Sequence, residues 1–439
     1  MKIEIEPQKS AWEELCKRPA DANPVVRERV EAILARVREH GDEALKAIAG
    51  EIDGFVPESF EVSAAEIEAA CRQVSDDVKQ AIRNAAANIE AFHRAQLPKT
   101  IEVETQKGVR CIQKPVPISK VGLYIPGGTA PLFSTVLMLA IPARLAGCSE
   151  IILCTPSGKD GKIAPAVLCA ASFCGVTRIF RIGGSQAIAA MAYGTESVPK
   201  VDKIFGPGNQ YVTTAKQILG GSVTAIDMPA GPSEVMIIID GSSNPAFAAA
   251  DLLSQAEHGR DSQVMLVSSS KEAAEAVSKE VDRQVELLGR ADLAKGALSK
   301  SHAVVFESID NITAFANLYA PEHLIVSTAE PWTIVEGITA AGSVFVGQYT
   351  PESAGDYASG TNHTLPTCGW AHSHSGVNID SYMRKMTIQE ITREGLQDLA
   401  GTIITMAEAE GLQAHANAAA IRVKSTTHQL KTDGLATAR

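Results

Sequence analysis

The sequence predicts an α/β protein. Two Rossmann-like βα domains with parallel sheets are flanked by a helical N-terminal segment and a helical C-terminal tail. Three observations carry that expectation. From about residue 118, short apolar runs alternate with stretches of helical periodicity. Glycine-rich turns at 126–128, 183–184 and 206–208 follow the ends of three such runs, where open α/β sheets bind ligands. Before residue 110 and after 381 the spacing is predominantly helical. The expected organisation is an arm over 1–25, a first βα domain from 26–117 and 233–375 bearing metal and acid–base residues, a second from 118–232 on the cofactor side, and a tail over 376–439.

The elements follow in order. Residues 24–40 open with Pro24, carry Val and Ile at helical spacing and are expected to stop at Gly41. Residues 52–62 read as an exposed turn and short strand, 63–94 as two helices, and 101–113 as a hairpin around Gly108. The first βα series runs through strands at 120–125, 151–155, 177–182 and 203–205. Its helices are expected over 134–146, 163–174, 185–193 and 209–219. After the loop 229–233 (PAGPS), a second series has strands at 234–239, 263–268, 303–307, 324–327 and 343–346. Its helices are expected over 245–258, 271–288, 309–319 and 331–341, the first of them closed by Gly259. Residues 348–375 read as a long polar loop of the kind that carries function. From 381 the chain is expected to return to helix and, having too little core of its own, to pack on a second subunit.

Composition narrows the classes. A net charge of −11 without basic runs argues against nucleic acid and anionic membrane as partners. The start, MKIEIEPQKS, has no apolar signal core, and 134–145 is too short and too interrupted to span a bilayer. The eight cysteines show no CxxC spacing and lie in apolar runs, as in a reduced cytoplasmic protein. Cys148 and Cys154 have no neighbouring His or cation to activate them as nucleophiles.

The stretch DLLSQAEHG draws attention because Gln255 and His258, three apart, share one helical face. An amide oxygen and an imidazole are two metal donors, and a site needs three or four. Asp356 in ESAGDYASG and His415 in EGLQAHA would complete an O/N set suited to Zn²⁺. Spacing alone leaves other readings open: a helix-terminal cap for His258, a surface histidine for His415, and His363 or the His372/His374 pair as competing ligands. Glu322 and His323 (PEHL) could move protons near neutral pH, provided a turn brings both to one side. The partial fingerprint GPGNQY at 206–211 lacks its third glycine.

Several stretches together resemble one family. LYIPGGTAPLFSTVLMLAIPARLAGC, FGPGN, IDMPAGPSEV, DLLSQAEHG, PEHL, SAGDYASGTNHTLPT and EGLQAHA, in this order between about 24 and 425, are similar to histidinol dehydrogenases. The resemblance implies NAD-dependent four-electron oxidation of L-histidinol to L-histidine through the aldehyde, the last two steps of histidine biosynthesis. It implies one Zn²⁺ per subunit, held by Gln255, His258, Asp356 and His415, with Glu322 and His323 as the acid–base pair. Ser233 and Glu410 would touch substrate along with these residues, and Tyr124, Gln186 and Asn209 would touch NAD. It further implies a cytoplasmic homodimer whose tail brings His415 and Glu410 to the partner's site. A paralogue oxidising another amino alcohol, a zinc hydrolase with Glu322 or Asp356 as base, and a metal-stabilised binding module are the alternative readings. Residues 368–377 depart from the family's motifs, so the resemblance implies nothing about that loop.

Overall fold

The computed structural model describes residues 1–18, 24–127, 131–228 and 231–436, with side chains to 424. Gly128 of the first glycine-rich turn and Pro229–Ala230 of the PAGPS loop lie outside them. In chain order, β1 (Lys2–Ile5) and α1 (Lys9–Leu15) precede α2 (Pro24–Ile48), α3 (Ala64–Gln73) and α4 (Asp76–Arg94). Next come β2 (Ile101–Gln106), β3 (Val109–Pro117), β4 (Lys120–Tyr124), α5 (Phe133–Ala146), β5 (Glu150–Thr155), α6 (Pro165–Cys174), β6 (Arg178–Arg181), α7 (Gly184–Tyr193), β7 (Lys203–Phe205), α8 (Gln210–Leu219) and β8 (Ala225–Ile226). A second series follows: β9 (Glu234–Ile239), α9 (Pro245–Ala256), β10 (Gln263–Ser268), α10 (Lys271–Val285), α11 (Ala291–Leu298), β11 (His302–Val305), α12 (Ile309–Tyr319), β12 (His323–Ser327), α13 (Trp332–Val335), β13 (Ser343–Val346) and α14 (Glu352–Tyr357). The chain ends with β14 (Met383–Ile391), α15 (Arg393–Ala409) and α16 (Gln413–Ala436).

Two units result, one of Met1–Leu97 with Ile118–Tyr382, the other of Pro98–Pro117 with the chain from Met383 onward. The first holds two parallel sheets, ordered β6-β5-β4-β7-β8 and β1-β11-β10-β9-β12-β13. Leaving aside β1 at the edge, both follow one plan: the first strand of each series is central, two strands extend one way, and the chain then crosses back to extend the other way. That reversal is the switch point of doubly wound sheets.

Burial on both faces explains the apolar runs. In β9, Val235, Ile237 and Ile239 join a core with α9 and α10, while Met236 and Ile238 join another with α1 and α12. This is the period-2 alternation of a strand covered on both sides. The five-stranded sheet buries Tyr124, Ile152, Cys154 and Phe180 against α2, α7 and α8. Its β7–α8 turn is clamped from within. Gly206 adopts φ 122°, and a Cβ there would strike the carbonyl of Tyr124, so only glycine fits. The Gly206 N–H donates to Asp227 at 2.8 Å, its carbonyl accepts from Lys216 Nζ at 2.8 Å, and the buried Lys216 and Asp227 pair with each other.

Several boundaries differ from expectation. The arm over 1–25 is not free: β1 pairs with β11 and Trp12 fills a core. Helices α2–α4 cover the five-stranded sheet, packing on α5–α8, so 26–97 does not group with 233–375. Gly41, at φ 49° and ψ −128°, is not helical and divides Pro24–Ile48 into two helices, the first stopping at Gly41 as expected; the Asp42 N–H beyond it bonds Glu196 at 2.8 Å. The π-helical turn Ala49–Asp53 leads into the exposed segment expected from 52, whose short strand is reduced to a single bridge from Glu61 to Phe180. Gly259 does not close α9, which ends at Ala256 with Glu257 as its cap. Residues 331–341 hold only the single turn of α13, and α11 was not anticipated.

In the second unit the return to helix after 381 is interrupted. Residues 383–391 form β14, which pairs antiparallel along the whole of β3 from Met383↔Pro117 to Ile391↔Val109. The predicted hairpin is present as β2 and β3. Residues buried in this unit are mainly small, Ala400, Ala407, Ala416 and Ala419, whereas Val103, Met386, Ile388, Met406, Leu412 and Ile421 are exposed.

Candidate active site

The expected acid–base residues lie at the amino end of the six-stranded sheet, not beyond its strands' carboxyl ends. His323 begins β12 beside Val235 of β9. Ala320 takes φ 48° and Glu322 sits in a bend, so the two side chains are not forced to opposite faces as strand neighbours would be. Glu322 Oε2 lies 3.6 Å from His323 Nδ1 and accepts a hydrogen bond from the Glu234 N–H at 2.9 Å. Glu234 is itself pinned by Arg18, whose Nε donates to it at 2.9 Å and whose guanidinium stacks 3.8 Å from the Tyr319 ring. Neither Arg18 nor Glu234 stood out in the sequence. They are 216 positions apart, and no local pattern joins them.

Two of the candidate ligands of this unit, Gln255 and Asp356, meet at His323. Gln255, in the last turn of α9, is 1 % exposed. Its Nε2 lies 3.2 Å from His323 Nδ1 and donates to Glu352, while its Oε1 is buried with no hydrogen-bond partner. Asp356 Oδ1 stands 3.6 Å from His323 Nε2, which also lacks a hydrogen-bond partner. His323, Glu352 and Asp356 each offer a ligand atom, all within 4.8 Å of one another. His258 occupies the turn after α9, where its backbone N–H bonds Gln255 and where it feels the charges of Asp356 and His323. Orphaned buried polar atoms are costly unless something engages them. The donor set of amide oxygen, imidazole and carboxylate fits a zinc-like cation.

The competing histidines behave differently. His363 uses both ring nitrogens, Nδ1 with the Asp356 carbonyl at 2.9 Å and Nε2 with Thr135 Oγ1 at 3.1 Å. It ties α14 to α5, as Asn362 does by donating to the Met138 carbonyl at 2.6 Å. His372 is exposed, and His374 packs edge-on against Trp370. Glu352 is the member of the cluster that sequence reasoning missed. The signal was present: Glu352 and Asp356 are four apart, on one face of a helix turn hidden in a segment read as loop.

Electrostatics bind the cluster together. Burial opposes charge on His323, but Glu322 and Glu352, with the Asp356 carboxylate, outweigh it and raise its pKa well above the usual value. Burial works against the Asp356 carboxylate too, yet His323, His363 and His258 hold its pKa below the ordinary range. Burial raises the pKa of Glu322 and pushes that of Glu352 up to about 8. Crowding by protein lowers that of His258, against the pull of Asp356. Burial pushes Cys148 up to about 12 and raises Cys154 and Cys368 as well, which works against any of these three as a thiolate nucleophile.

A second feature lies on the five-stranded sheet, beyond the carboxyl ends of β4–β6. A cavity of about 920 Å³ is lined by Glu66, Pro126, Thr155, Pro156, Lys159 and Arg181, among others. That is the size and position of a site for a small organic ligand. Tyr124, Gln186 and Asn209 are not among the residues that line it. The Tyr124 hydroxyl accepts from the Gly184 N–H at 3.1 Å, Gln186 is buried beside that glycine, and Asn209 caps α8 through Tyr211 and Val212. Ser233 immediately precedes β9. Glu410 and His415 are exposed in the second unit, at the end of α15 and in the first turn of α16.

With this geometry in view, comparison with known proteins is specific. The profile described as histidinol dehydrogenase matches residues 16–423. The chain is 53 % identical over 425 residues to a histidinol dehydrogenase of Bacteroides thetaiotaomicron, covering 97 % of this chain and 99 % of that one. It is 53 % identical over 400 residues to one of Xylella fastidiosa, with 91 % and 93 % covered. The crystal structure of histidinol dehydrogenase from Elizabethkingia anophelis matches with a TM-score of 0.94 at 48 % identity, over 97 % and 99 % of the two chains.

Proposed function

Since this chain belongs to the histidinol dehydrogenase family, we propose that it oxidises L-histidinol to L-histidine in two NAD-dependent steps at a zinc site, as a cytoplasmic homodimer. The observation that carries the metal reading is the buried, partnerless Gln255 Oε1 beside Asp356, Glu352 and His323. Gln255, His258 and Asp356 would hold the ion, with His415 from a second copy's tail as fourth ligand. A bound Zn²⁺ would orient the substrate's imidazole and amino groups and polarise its hydroxyl. Bound NAD⁺ would accept the hydride, lying over the glycine-rich turns with Tyr124, Gln186 and Asn209 as contacts. The cavity beside those turns supports that assignment.

The chain's own residues do the rest. His323 accepts the hydroxyl proton as the carbinol C–H leaves as hydride, giving the aldehyde. Glu322 then takes one proton from water as the water oxygen adds to the aldehyde carbon, and the resulting hydrate anion would give up its C–H hydride to a second bound NAD⁺, leaving the carboxylic acid. Positioned proton transfers of this kind contribute roughly 10²–10⁴-fold each. Ser233 and Glu410 would complete the substrate's polar contacts. The test is nicotinamide absorbance growth with L-histidinol, before and after chelation. Two NAD⁺ reduced per histidinol, abolished by chelation and restored by zinc, is the expected result. Turnover without NAD⁺, or reduction indifferent to chelation, would refute it.

A further inference from the structure

Glu352 has no part in the ligand set or the acid–base pair just proposed, yet it is 1 % exposed, and a carboxylate is not buried without cause. Three residues on one face of α9 hold it. Asp251 accepts from its backbone N–H, Ser254 Oγ donates to its Oε2 at 3.2 Å, and Gln255 Nε2 donates to its Oε1. Positions 251, 254 and 255 are spaced i, i+3, i+4, so a single helical face grips the start of α14.

The consequence falls on Gln255. Its amide ends in an oxygen and an NH₂ of nearly the same shape, and only its surroundings decide which way each points. The Gln255 NH₂ end faces Glu352 Oε1, with His323 Nδ1 also 3.2 Å away. The oxygen is left buried and unpartnered. The reversed amide would turn the NH₂, not the oxygen, to the buried position that has no hydrogen-bond partner.

We infer that Glu352 is a positioning residue that fixes the Gln255 amide with its oxygen turned into the cation site. This rests on the reading of Gln255 as a zinc ligand. Partners that orient a ligand without touching the ion characteristically account for about 10- to 100-fold in metal affinity.

Zinc dissociation constants of the full-length protein, measured by competition with a chromophoric chelator, test it. Glu352→Gln keeps an amide oxygen that accepts from Gln255 and should stay within about threefold of wild type. Glu352→Met keeps the volume, loses the acceptor and should weaken zinc about 10- to 100-fold. In a Gln255→Ala background the same Met substitution should add less than about threefold, since no amide remains to orient. The exchange Gln255→Glu with Glu352→Gln reverses the bond and should bind zinc more tightly than Gln255→Glu alone, a comparison that stands even if Glu352→Met does not fold. Equal losses in the Gln and Met variants, a Met effect undiminished beside Gln255→Ala, or wild-type affinity in Glu352→Met would each overturn the role of Glu352. Wild-type protein that takes up no stoichiometric zinc would sink the metal reading along with it.

Discussion

His323 stands among three carboxylates, 3.6 Å from Glu322 and from Asp356 and close to Glu352. Their combined field needs a compensating positive charge, and its carrier can be a proton on His323 or a cation among Gln255, His258 and Asp356. A base must be neutral to act, so carboxylates that hold a proton on His323 work against its role in alcohol oxidation. Among the groups that raise the His323 pKa, Glu322 comes first. Replacing Glu322 by Gln should therefore let His323 lose its proton at lower pH and move the acid limb of histidinol oxidation downward. The same change removes the base for aldehyde hydration, so histidinal oxidation should fall by about 10²-fold or more while histidinol oxidation falls by less than about tenfold. Single-turnover rates of each half-reaction against pH check this, and equal losses would reassign Glu322. The pair was legible in PEHL as chemistry but not as geometry. Whether adjacent residues share a side depends on the left-handed Ala320, a residue type that gives no local warning of that conformation.

Among the elements, α9 shows how much a helix face can announce. The spacing of Asp251, Ser254 and Gln255 is plain in DLLSQAEH, but their partner α14 is not, because ESAGDY is only 6 residues long and holds the poor helix formers Ser353, Gly355 and Asp356, so tertiary contact is needed to make a turn of it. β14 failed for a related reason: MRKMTIQEI has no strand partner within the tail, and its partner β3 lies before Ile118–Tyr382 in the chain. The α9–α14 grip also has an energetic cost. Burial lifts the Asp251 pKa from 3.8 to about 6, so the folded state binds its proton more tightly than the unfolded chain. That contribution favours folding below pH about 4, is lost as pH rises through about 6, and leaves a net cost above, on the order of 2–3 kcal/mol at most. Asp251→Asn retains an oxygen for the Glu352 N–H and removes the charge. Its melting temperature should exceed wild type by a few degrees at pH 7.5, with the gain vanishing near pH 4. A melting temperature lowered at pH 7.5 but not near pH 4 would mean that the charge itself holds α14.

For the molecule as a whole, the parallel pairing within the two sheets was readable from strand–helix alternation, since parallel strands need crossovers and crossovers set their own rhythm, whereas the strand order came only with the structure. Which sheet α2–α4 would cover was not readable either, because an amphipathic face does not name its partner. The second unit poses the remaining question. Its buried residues are largely alanines and its large apolar side chains lie exposed, the composition of a surface that association would bury. If the tail serves a second copy, each site joins the body of one chain to the tail of the other. Two variants that are dead alone then become informative together. Let one chain carry His258→Ala in its body and the other His415→Ala in its tail. In the mixed dimer one site receives both substitutions and the other receives neither. Heterodimers isolated through two different affinity tags should therefore recover about half of wild-type turnover, while either homodimer shows essentially none. A tail that serves its own body leaves every site of the mixed dimer with one defect, and recovery would then be absent. Zinc content supplies a readout independent of turnover: about one ion per mixed dimer if tails are exchanged, against about two in wild type.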